Sequence, residues 1–356
     1  MRRQRSGVKT VRMGDLPIGG ENPISVQSMT NTKTENIEAT LHQIEKLKNA
    51  GCELVRAAVP GNEAAEALFT LTDRVNIPLV ADIHFDYRLA LKAVEAGVDG
   101  LRLNPGNIGG KNKVKEVIEA CKDHNLPVRI GINSGSLEKD LAEKHGGPTP
   151  KAMVESAERH ISYLEEENFY DIVVSLKSSS VNDTIEANCI FAYRYDYPLH
   201  IGITEAGSGR EGEIKSAAGI GALLSRNLGD TLRVSLTGSP LREVEVAYQI
   251  LSAFDERQRG VEVISCPTCG RTDINVEEIV KKVKEGLKEF QVHSNLTVAV
   301  MGCEVNGPEE ARHADIGVAG GRNSGLIFKK GEKLRKAAGE NLAETLLQEI
   351  KQMECD

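Results

Sequence analysis

Short runs of β-branched and apolar residues alternate with longer amphipathic stretches over the first 250 residues. The short runs have the length and composition of buried strands, and the longer stretches repeat apolar residues at helical spacing. Several predicted helices stop at a glycine, as at Gly51 and Gly97, which is a common way to end a helix. The pattern predicts eight strands: Ile24–Ser28, Leu54–Ala58, Leu79–Ile83, Gly100–Leu103, Val128–Ile132, Ile172–Leu176, Leu199–Ile203 and Leu232–Leu236.

Eight strand–helix units in residues 1–254 predict an α/β fold, a (β/α)8 barrel of the TIM type. An open, doubly wound sheet is the alternative. No glycine-rich dinucleotide fingerprint follows the first strand, which counts against that alternative. The predicted helices between the strands include Ile37–Ala50, Glu63–Arg74, Tyr87–Ala96 and Lys113–His124.

A second domain is predicted at residues 261–356, after a charged linker at residues 255–260. Its pattern mixes strands and helices without the earlier regular alternation, so we expect a small α+β domain. The glycine-rich stretch Gly317–Gly325 is interpreted as a hairpin turn. The predicted elements are strands at Val261–Ser265, Leu296–Met301, Ile316–Ala319 and Leu326–Lys329, a helix at Val276–Phe290, and a final helix from about Glu340.

Composition narrows the possible partners. Aromatic residues make up 4% of the chain, tryptophan is absent and the formal charge is −8, so nucleic acid and anionic membranes are poor partners. The N-terminus lacks the pattern of a secretory signal, and no run of eighteen apolar residues occurs. We therefore expect a soluble, cytoplasmic protein.

Cations mark the ends of the predicted barrel strands, where barrel enzymes carry their chemistry. In Leu101-Arg102-Leu103 the leucines face one side and the arginine the other, so the arginine points into the barrel. Asp82 and Glu205 are the carboxylates available for salt bridges, and two carboxylates cannot neutralise five cations. A polyanion such as a phosphorylated ligand is therefore expected. The five cations are Arg56, Arg102, Arg129, Lys177 and Arg233.

Two loops near these cations have the composition of phosphate-binding loops. They are residues 205–209, after the seventh strand, and residues 237–240, after the eighth, and residues 104–109 form a similar loop after the fourth. Lys177 also occupies a strand end where some barrel aldolases form a Schiff base. We favour a phosphate contact for it.

Three of the seven cysteines form a constellation in the C-terminal domain. Cys266 and Cys269 are spaced as C-x-x-C, and Cys303 begins a second loop. They are one ligand short of a closed zinc site and of a four-cysteine iron–sulfur cluster. A redox dithiol would leave Cys303 without a role, so a metal is favoured, but residue types alone leave zinc and iron–sulfur open. Three other cysteines are interpreted as core residues: Cys52, Cys121 and Cys189.

Many segments, in order along nearly the whole chain, resemble the 4-hydroxy-3-methylbut-2-enyl diphosphate synthases of the non-mevalonate isoprenoid pathway. They are residues 26–32 (VQSMTNT), 81–86 (ADIHFD), 103–107 (LNPGN), 132–136 (INSGS), 202–207 (GITEAG), 265–271 (SCPTCGR) and 301–303 (MGC). The resemblance implies a TIM-type barrel followed by a ferredoxin-like domain. It also implies a [4Fe–4S] cluster held by Cys266, Cys269, Cys303 and Glu310. Glu309 stands where the family normally has glycine.

The resemblance also implies the substrate, 2-C-methyl-D-erythritol 2,4-cyclodiphosphate, whose reductive ring opening and dehydration use two electrons. Glu205 would be the acid–base residue, with Asp82 and His84 as weaker candidates. Flavodoxin or ferredoxin would donate electrons, and the basic runs at residues 281–284 and 329–330 offer docking points. A homodimer is implied as well. The substrate-binding residues would be Arg56, Arg102, Arg129, Asn133, Lys177, Arg233 and Ser235.

Overall fold

The protein is described from a computed structural model covering residues 4–104, 110–289, 294–303, 309 and 311–355. It divides into two compact units, Met1–Arg257 and Gln258–Asp356. The boundary falls inside the predicted linker. On one side of it, Arg257 donates to Glu53 at 2.6 Å, and on the other, Gln258 donates to the backbone oxygen of Leu296 at 3.0 Å. No helix in the described ranges is long and apolar enough to cross a membrane.

The first unit begins with an antiparallel hairpin, β1 (Val11–Met13) and β2 (Leu16–Ile18). Its buried side chains form one apolar cluster with Leu54, Val80 and Val173, which lie near the starts of three barrel strands. The hairpin therefore covers the N-terminal end of the barrel. The sequence pattern missed it because three-residue strands are too short to show alternation.

Eight parallel strands form the barrel. Neighbouring strands pair in a continuous series, and a parallel bridge between Val174 and Leu199 joins the two outermost strands of that series. The predicted TIM-type barrel is confirmed, and the open sheet is excluded. The strands are β3 (Ser25–Met29), β4 (Leu54–Ala58), β5 (Leu79–Asp82), β6 (Gly100–Leu103), β7 (Val128–Asn133), β8 (Ile172–Lys177), β9 (His200–Ile201) and β10 (Thr231–Leu232).

Helices surround the strands and bury their apolar faces against them. Four begin at side chains that accept a hydrogen bond from the first turn: Asn36, Asp86, Thr149 and Ser180. The helices are α1 (Ile37–Asn49), α2 (Asn62–Arg74), α3 (Tyr87–Glu95), α4 (Lys111–Asp123), α5 (Lys139–His145), α6 (Pro150–Glu166), α7 (Val181–Arg194), α8 (Gly209–Leu224) and α9 (Pro240–Ser252).

The last two barrel strands are shorter than predicted. Ladder pairing of β10 ends at Leu232, although the pattern continues to Leu236. The backbone N–H of Leu236 donates instead to the side chain of Glu243 at 3.1 Å. In a longer strand this N–H would donate to the neighbouring strand, but here it donates to Glu243 of α9.

The second unit is built on a five-stranded mixed sheet in the order β11-β12-β13-β14-β15, parallel through β13 and antiparallel after it. Two helices share an apolar core with it, which confirms a separate α+β domain. Strand β15 was not predicted, and its exposed side chains explain the weak signal. The elements are β11 (Val261–Ser265), α10 (Val276–Glu289), β12 (Leu296–Met301), β13 (Ile316–Gly321), β14 (Ser324–Lys329), β15 (Glu332–Ala338) and α11 (Leu342–Cys355).

The predicted hairpin at Gly317–Gly325 is confirmed, but its turn is much shorter than the glycine-rich stretch. Strands β13 and β14 run through it and leave residues 322–323 as the connection. The glycines are there for packing, because a Cβ on Gly317 would overlap the ring of Phe328, and one on Gly320 would overlap Ile274.

Candidate active site

Five cationic side chains come from five different barrel elements and lie in the barrel interior. Arg56, Arg102, Arg129 and Lys177 stand at inward positions of β4, β6, β7 and β8, and Arg233 follows β10 directly. Arg129 is 1% exposed and Lys177 is 9% exposed. The structure brings together the five cations that were predicted at the strand ends.

Asp82 at the end of β5 pairs with two of these arginines. Its carboxylate lies 3.5 Å from Nε of Arg56 and 3.2 Å from Nη1 of Arg102, and 3.5 Å from Nε2 of His84. Burial alone would raise the pKa of Asp82, but Arg56, His84 and Arg102 outweigh it and hold the pKa well below its usual range. Asp82 is therefore a fixed negative charge that organises the two guanidinium groups.

Glu243 is the second carboxylate in the site, and sequence reasoning missed it. Its Oε1 and Oε2 accept from Nη2 and Nε of Arg233 at 3.0 and 3.1 Å. The residue lies in the first turn of α9 and not at a strand end, so a search of strand ends passes over it. A signal was present, since Glu243 shares the buried helical face of Val244 and Ala247.

Lys177 and Arg129 lack carboxylate partners among the described residues. Burial, followed by the four arginines, lowers the pKa of Lys177 well below that of a free lysine. Arg129 donates through Nη1 to Oε1 of Gln27, and its buried Nη2 has no partner in the described structure. Burial also lowers the pKa of Arg56, to about 10, in spite of Asp82. Five cations thus face two buried carboxylates, which favours a ligand carrying several negative charges.

Two glycines inside the barrel make room for the cations. A Cβ on Gly131 of β7 would lie 2.5 Å from Nε of Arg102. A Cβ on Gly202, just after β9, would lie 2.8 Å from Nζ of Lys177. These glycines lie at positions where an ordinary barrel would fill its interior with branched side chains.

The remaining predicted site residues lie around the mouth. Asn133 is half-buried at the end of β7, and Ser235 is half-buried three residues after the end of β10. Glu205 is exposed, has a left-handed backbone (φ 52°), and makes no ion pair with any residue that the structure describes. Glu205 therefore does not form the salt bridge that was considered for it, and Glu243 pairs with the barrel cation Arg233 instead.

The two predicted phosphate loops are held side by side. A parallel bridge joins Ser208 to Thr237, and the N–H of Thr237 donates to the oxygen of Gly207 at 3.0 Å. Helices α8 and α9 begin at the last residues of these loops, Gly209 and Pro240, so two helix N-termini lie on the same side of the mouth. The third predicted loop is at residues 104–109, of which Asn104 is buried and residues 105–109 lie outside the described residues.

The cysteines of the second unit follow parallel strands. Strand β11 ends at Ser265 beside Val300 of β12, so Cys266 and Cys303 leave the same edge of the sheet. The N–H of Gly302 donates to Sγ of Cys266 at 3.2 Å, a contact typical of cluster-ligating sulfurs. No group of three potential ligands is close enough to hold a metal ion within the described ranges, and Glu310 lies outside them.

Two of the remaining cysteines are core residues, as predicted. Burial raises the pKa of Cys52 and of Cys121 to about 12, so both stay protonated. Cys189 is half-buried and packs against the barrel core.

A closed barrel with an excess of buried cations at its strand ends defines an enzyme that acts on a phosphorylated small molecule. The chain belongs to the GcpE family. It matches the GcpE TIM-barrel domain over residues 8–248 and the GcpE protein C-terminal domain over residues 262–352. The family resemblance predicted from the motifs is thereby confirmed.

Relatives similar to this chain over almost its whole length carry one name, 4-hydroxy-3-methylbut-2-en-1-yl diphosphate synthase (flavodoxin). That of Thermodesulfovibrio yellowstonii is 54% identical over 98% of this chain and 99% of its own. That of Clostridium perfringens is 54% identical over 97% and 99%, and that of Maridesulfovibrio salexigens is 55% identical over 97% and 96%.

Proposed function

We propose that this chain converts 2-C-methyl-D-erythritol 2,4-cyclodiphosphate to 4-hydroxy-3-methylbut-2-enyl diphosphate by reductive ring opening and dehydration, a step in the synthesis of isoprenoid precursors. Its relatives are named for the product. The observation that carries the proposal is the set of five cations inside the barrel against two buried carboxylates. A diphosphate supplies the missing negative charge.

Arg56, Arg102, Arg129, Lys177 and Arg233 bind the diphosphate, helped by Asn133 and Ser235 at the rim. Opening the ring frees a phosphate oxygen, so the diphosphate of the product carries one more negative charge than that of the cyclic substrate. The balanced change is two electrons and one proton taken up and one water released. Fixed cations therefore stabilise the opened diphosphate more than the ring, and they favour the reaction as well as binding.

The thiols of Cys266, Cys269 and Cys303, with the carboxylate of Glu310, would hold a [4Fe–4S] cluster. The Gly302 N–H at Sγ of Cys266 supports this assignment, because such donors stabilise the charge of cluster sulfurs. When bound, the cluster would supply two electrons, one at a time, and a Lewis-acidic iron. The carboxylate of Glu310, in place of a fourth thiolate, would be the most readily displaced of the four ligands.

Glu205 gives the departing hydroxyl its proton, so that it leaves as water. Its exposed side chain at the mouth and its left-handed backbone support a role in the reaction, because such a backbone is costly for glutamate. We expect Glu205→Gln to lower kcat about 10²- to 10⁴-fold, the range of general acid catalysis. Substrate affinity should stay within twofold. Unchanged kcat in steady-state assays would exclude the role.

We propose flavodoxin or ferredoxin as the electron donor, a homodimer as the assembly and the cytoplasm as the compartment. Relatives named for flavodoxin support the donor. Free thiols in cysteine-rich loops suit a reducing compartment. A native mass of one chain in the active preparation would contradict the dimer.

Anaerobic purification tests the cluster. We expect a brown protein with about four irons per chain. Glu310→Ala should lose the cluster, whereas Glu309→Ala should keep it. Glu309 is the matched control because it is the adjacent glutamate, with an exposed side chain. A colourless protein containing zinc would contradict the proposal, and loss of the cluster in Glu309→Ala alone would move the ligand to Glu309.

A Schiff-base aldolase is the second candidate, favoured by the lowered pKa of Lys177. The proposed substrate has no carbonyl group, so it offers Lys177 nothing to condense with. Borohydride trapping of a carbonyl compound on Lys177 would support the aldolase. A non-catalytic zinc module would leave the buried cations unexplained.

A further inference from the structure

Glu243 joins three separate segments at one side of the barrel mouth. Its carboxylate is 3% exposed and accepts from both Nε and Nη2 of Arg233. It also accepts from Oγ of Ser28 on β3 at 3.0 Å and from the N–H of Leu236 at 3.1 Å. The donors thus come from β3, from the residue after β10, and from the loop that leads into α9.

This pairing fixes the guanidinium of Arg233 in one orientation. Glu243 occupies the edge formed by Nε and Nη2, while the remaining nitrogen, Nη1, lies 3.6 Å from Sδ of Met29. Nη1 is therefore free of carboxylates in the described structure. An arginine held by two parallel hydrogen bonds has little rotational freedom, so a ligand meeting its other edge loses less entropy.

The same carboxylate also fixes the position of the backbone just before the predicted phosphate loop at residues 237–240. Leu236 immediately precedes residues 237–240, and the N–H of Thr237 is bonded to Gly207 of the neighbouring loop. Without the contact to Leu236, the backbone at Thr237, which links the two loops, would be less firmly held. Glu243 thus acts on an arginine and on a loop that we assign to the same diphosphate.

We propose that Glu243 is a positioning residue for the diphosphate, acting through Arg233 and through the loop at residues 237–240. This inference rests on the proposed function, in which Arg233 binds the substrate. Glu243 does not itself touch the ligand. Its negative charge holds one of the five cations in place before the substrate arrives.

A purely structural ion pair is the competing explanation, and the chain provides a matched control. Arg242, the preceding residue on α9, makes a two-point pair with Glu213 of α8 at 2.7 and 2.9 Å. That pair also anchors the start of α9, here to α8, but it is partly exposed and lies outside the cation cluster. A role limited to helix packing would make Glu243→Gln and Glu213→Gln alike in their effect on ligand binding.

The test measures the Kd of the cyclic diphosphate by calorimetry on the cluster-loaded, full-length protein, together with KM and kcat. We expect Glu243→Gln to weaken binding and raise KM about tenfold, with iron content unchanged and kcat lowered less than KM is raised. Glu213→Gln should stay within twofold of wild type. Equal Kd values for wild type and Glu243→Gln would overturn the inference, as would equal effects of the two glutamine variants.

Arg233→Met separates this inference from the proposed function. If Arg233→Met binds like wild type, the substrate site itself is wrong. If it binds weakly while Glu243→Gln binds normally, the inference alone fails. Adding Glu243→Gln to Arg233→Met should change Kd little, because the effect passes mainly through Arg233. Should Glu243→Gln not fold, Ser28→Ala decides: about threefold weaker binding supports the inference, and an unchanged Kd overturns it.

Discussion

Lys177 lies inside the barrel among four arginines, without a carboxylate partner in the described structure. The position suits a bound diphosphate and is unfavourable without one, because a buried cation surrounded by cations has lost water and gained repulsion. Such a residue destabilises the ligand-free protein and strengthens binding of the diphosphate. Its position at the end of a predicted strand indicated its location, and burial explains its lowered pKa.

Lys177→Met should therefore stabilise the ligand-free protein and weaken ligand binding. We expect the free energy of unfolding at pH 7 to rise by about 1–4 kcal/mol. Binding of the cyclic diphosphate should weaken about ten- to hundredfold, the usual cost of a lost charge-assisted hydrogen bond. Urea unfolding and calorimetry measure the two effects, and Lys46→Met, at an exposed site on α1, is the control.

The sign of the pH dependence follows from the lowered pKa. Between the folded pKa of Lys177 and about 10.4, the pKa of a free lysine, the unfolded chain binds more protons than the folded one. Wild-type stability should rise with pH through that window, and Lys177→Met should lack this part of the rise. If Lys177→Met is less stable than wild type at pH 7 and its stability changes with pH in the same way, the buried charge of Lys177 does not destabilise the ligand-free protein.

Elements could be predicted to different degrees. Short apolar runs, regularly spaced between amphipathic stretches, predicted the barrel strands and most of their boundaries. The hairpin β1–β2 was missed because it is short, and β15 because it is polar and exposed. Glu243 was missed because its role depends on which helix face meets which strand end. That relation exists only once the barrel has closed.

Gly131 shows how a strand can be shaped for its neighbour's side chain. Its missing Cβ leaves space for the guanidinium of Arg102, which also donates through Nη2 to the oxygen of Gly131 at 3.3 Å. A glycine within a strand usually weakens the strand, so the sequence pattern alone gives no positive role to Gly131. The structure gives it a function in positioning a cation.

Gly131→Ala should impair binding more than stability. The added Cβ would meet the end of a flexible side chain, which can move at little cost to folding, but the displaced Arg102 would lose its alignment with Asp82. We expect about tenfold weaker binding of the cyclic diphosphate. Gly61→Ala, where a Cβ would meet nothing within 4 Å, is the control. Calorimetry and thermal unfolding measure both variants, and equal affinities would show that Arg102 does not need this space.

The whole molecule combines a cationic barrel with a cysteine-bearing domain, and each half explains a part of the chemistry. The barrel accounts for the diphosphate, since cations outnumber the buried carboxylates inside it. The second unit carries the cysteines of the proposed cluster, and two of them, Cys266 and Cys303, follow parallel strands at one edge of a sheet. The family resemblance supplied Glu310 as the proposed fourth ligand, which spacing alone could not have given.

Turnover followed by ³¹P NMR tests the central claim most directly. The anaerobic, cluster-loaded protein is mixed with 2-C-methyl-D-erythritol 2,4-cyclodiphosphate and reduced flavodoxin. We predict that the two phosphorus signals of the ring are replaced by those of linear 4-hydroxy-3-methylbut-2-enyl diphosphate, with two electrons consumed per molecule. An unchanged ring, in a preparation with its full iron content and a reducible cluster, would contradict the account.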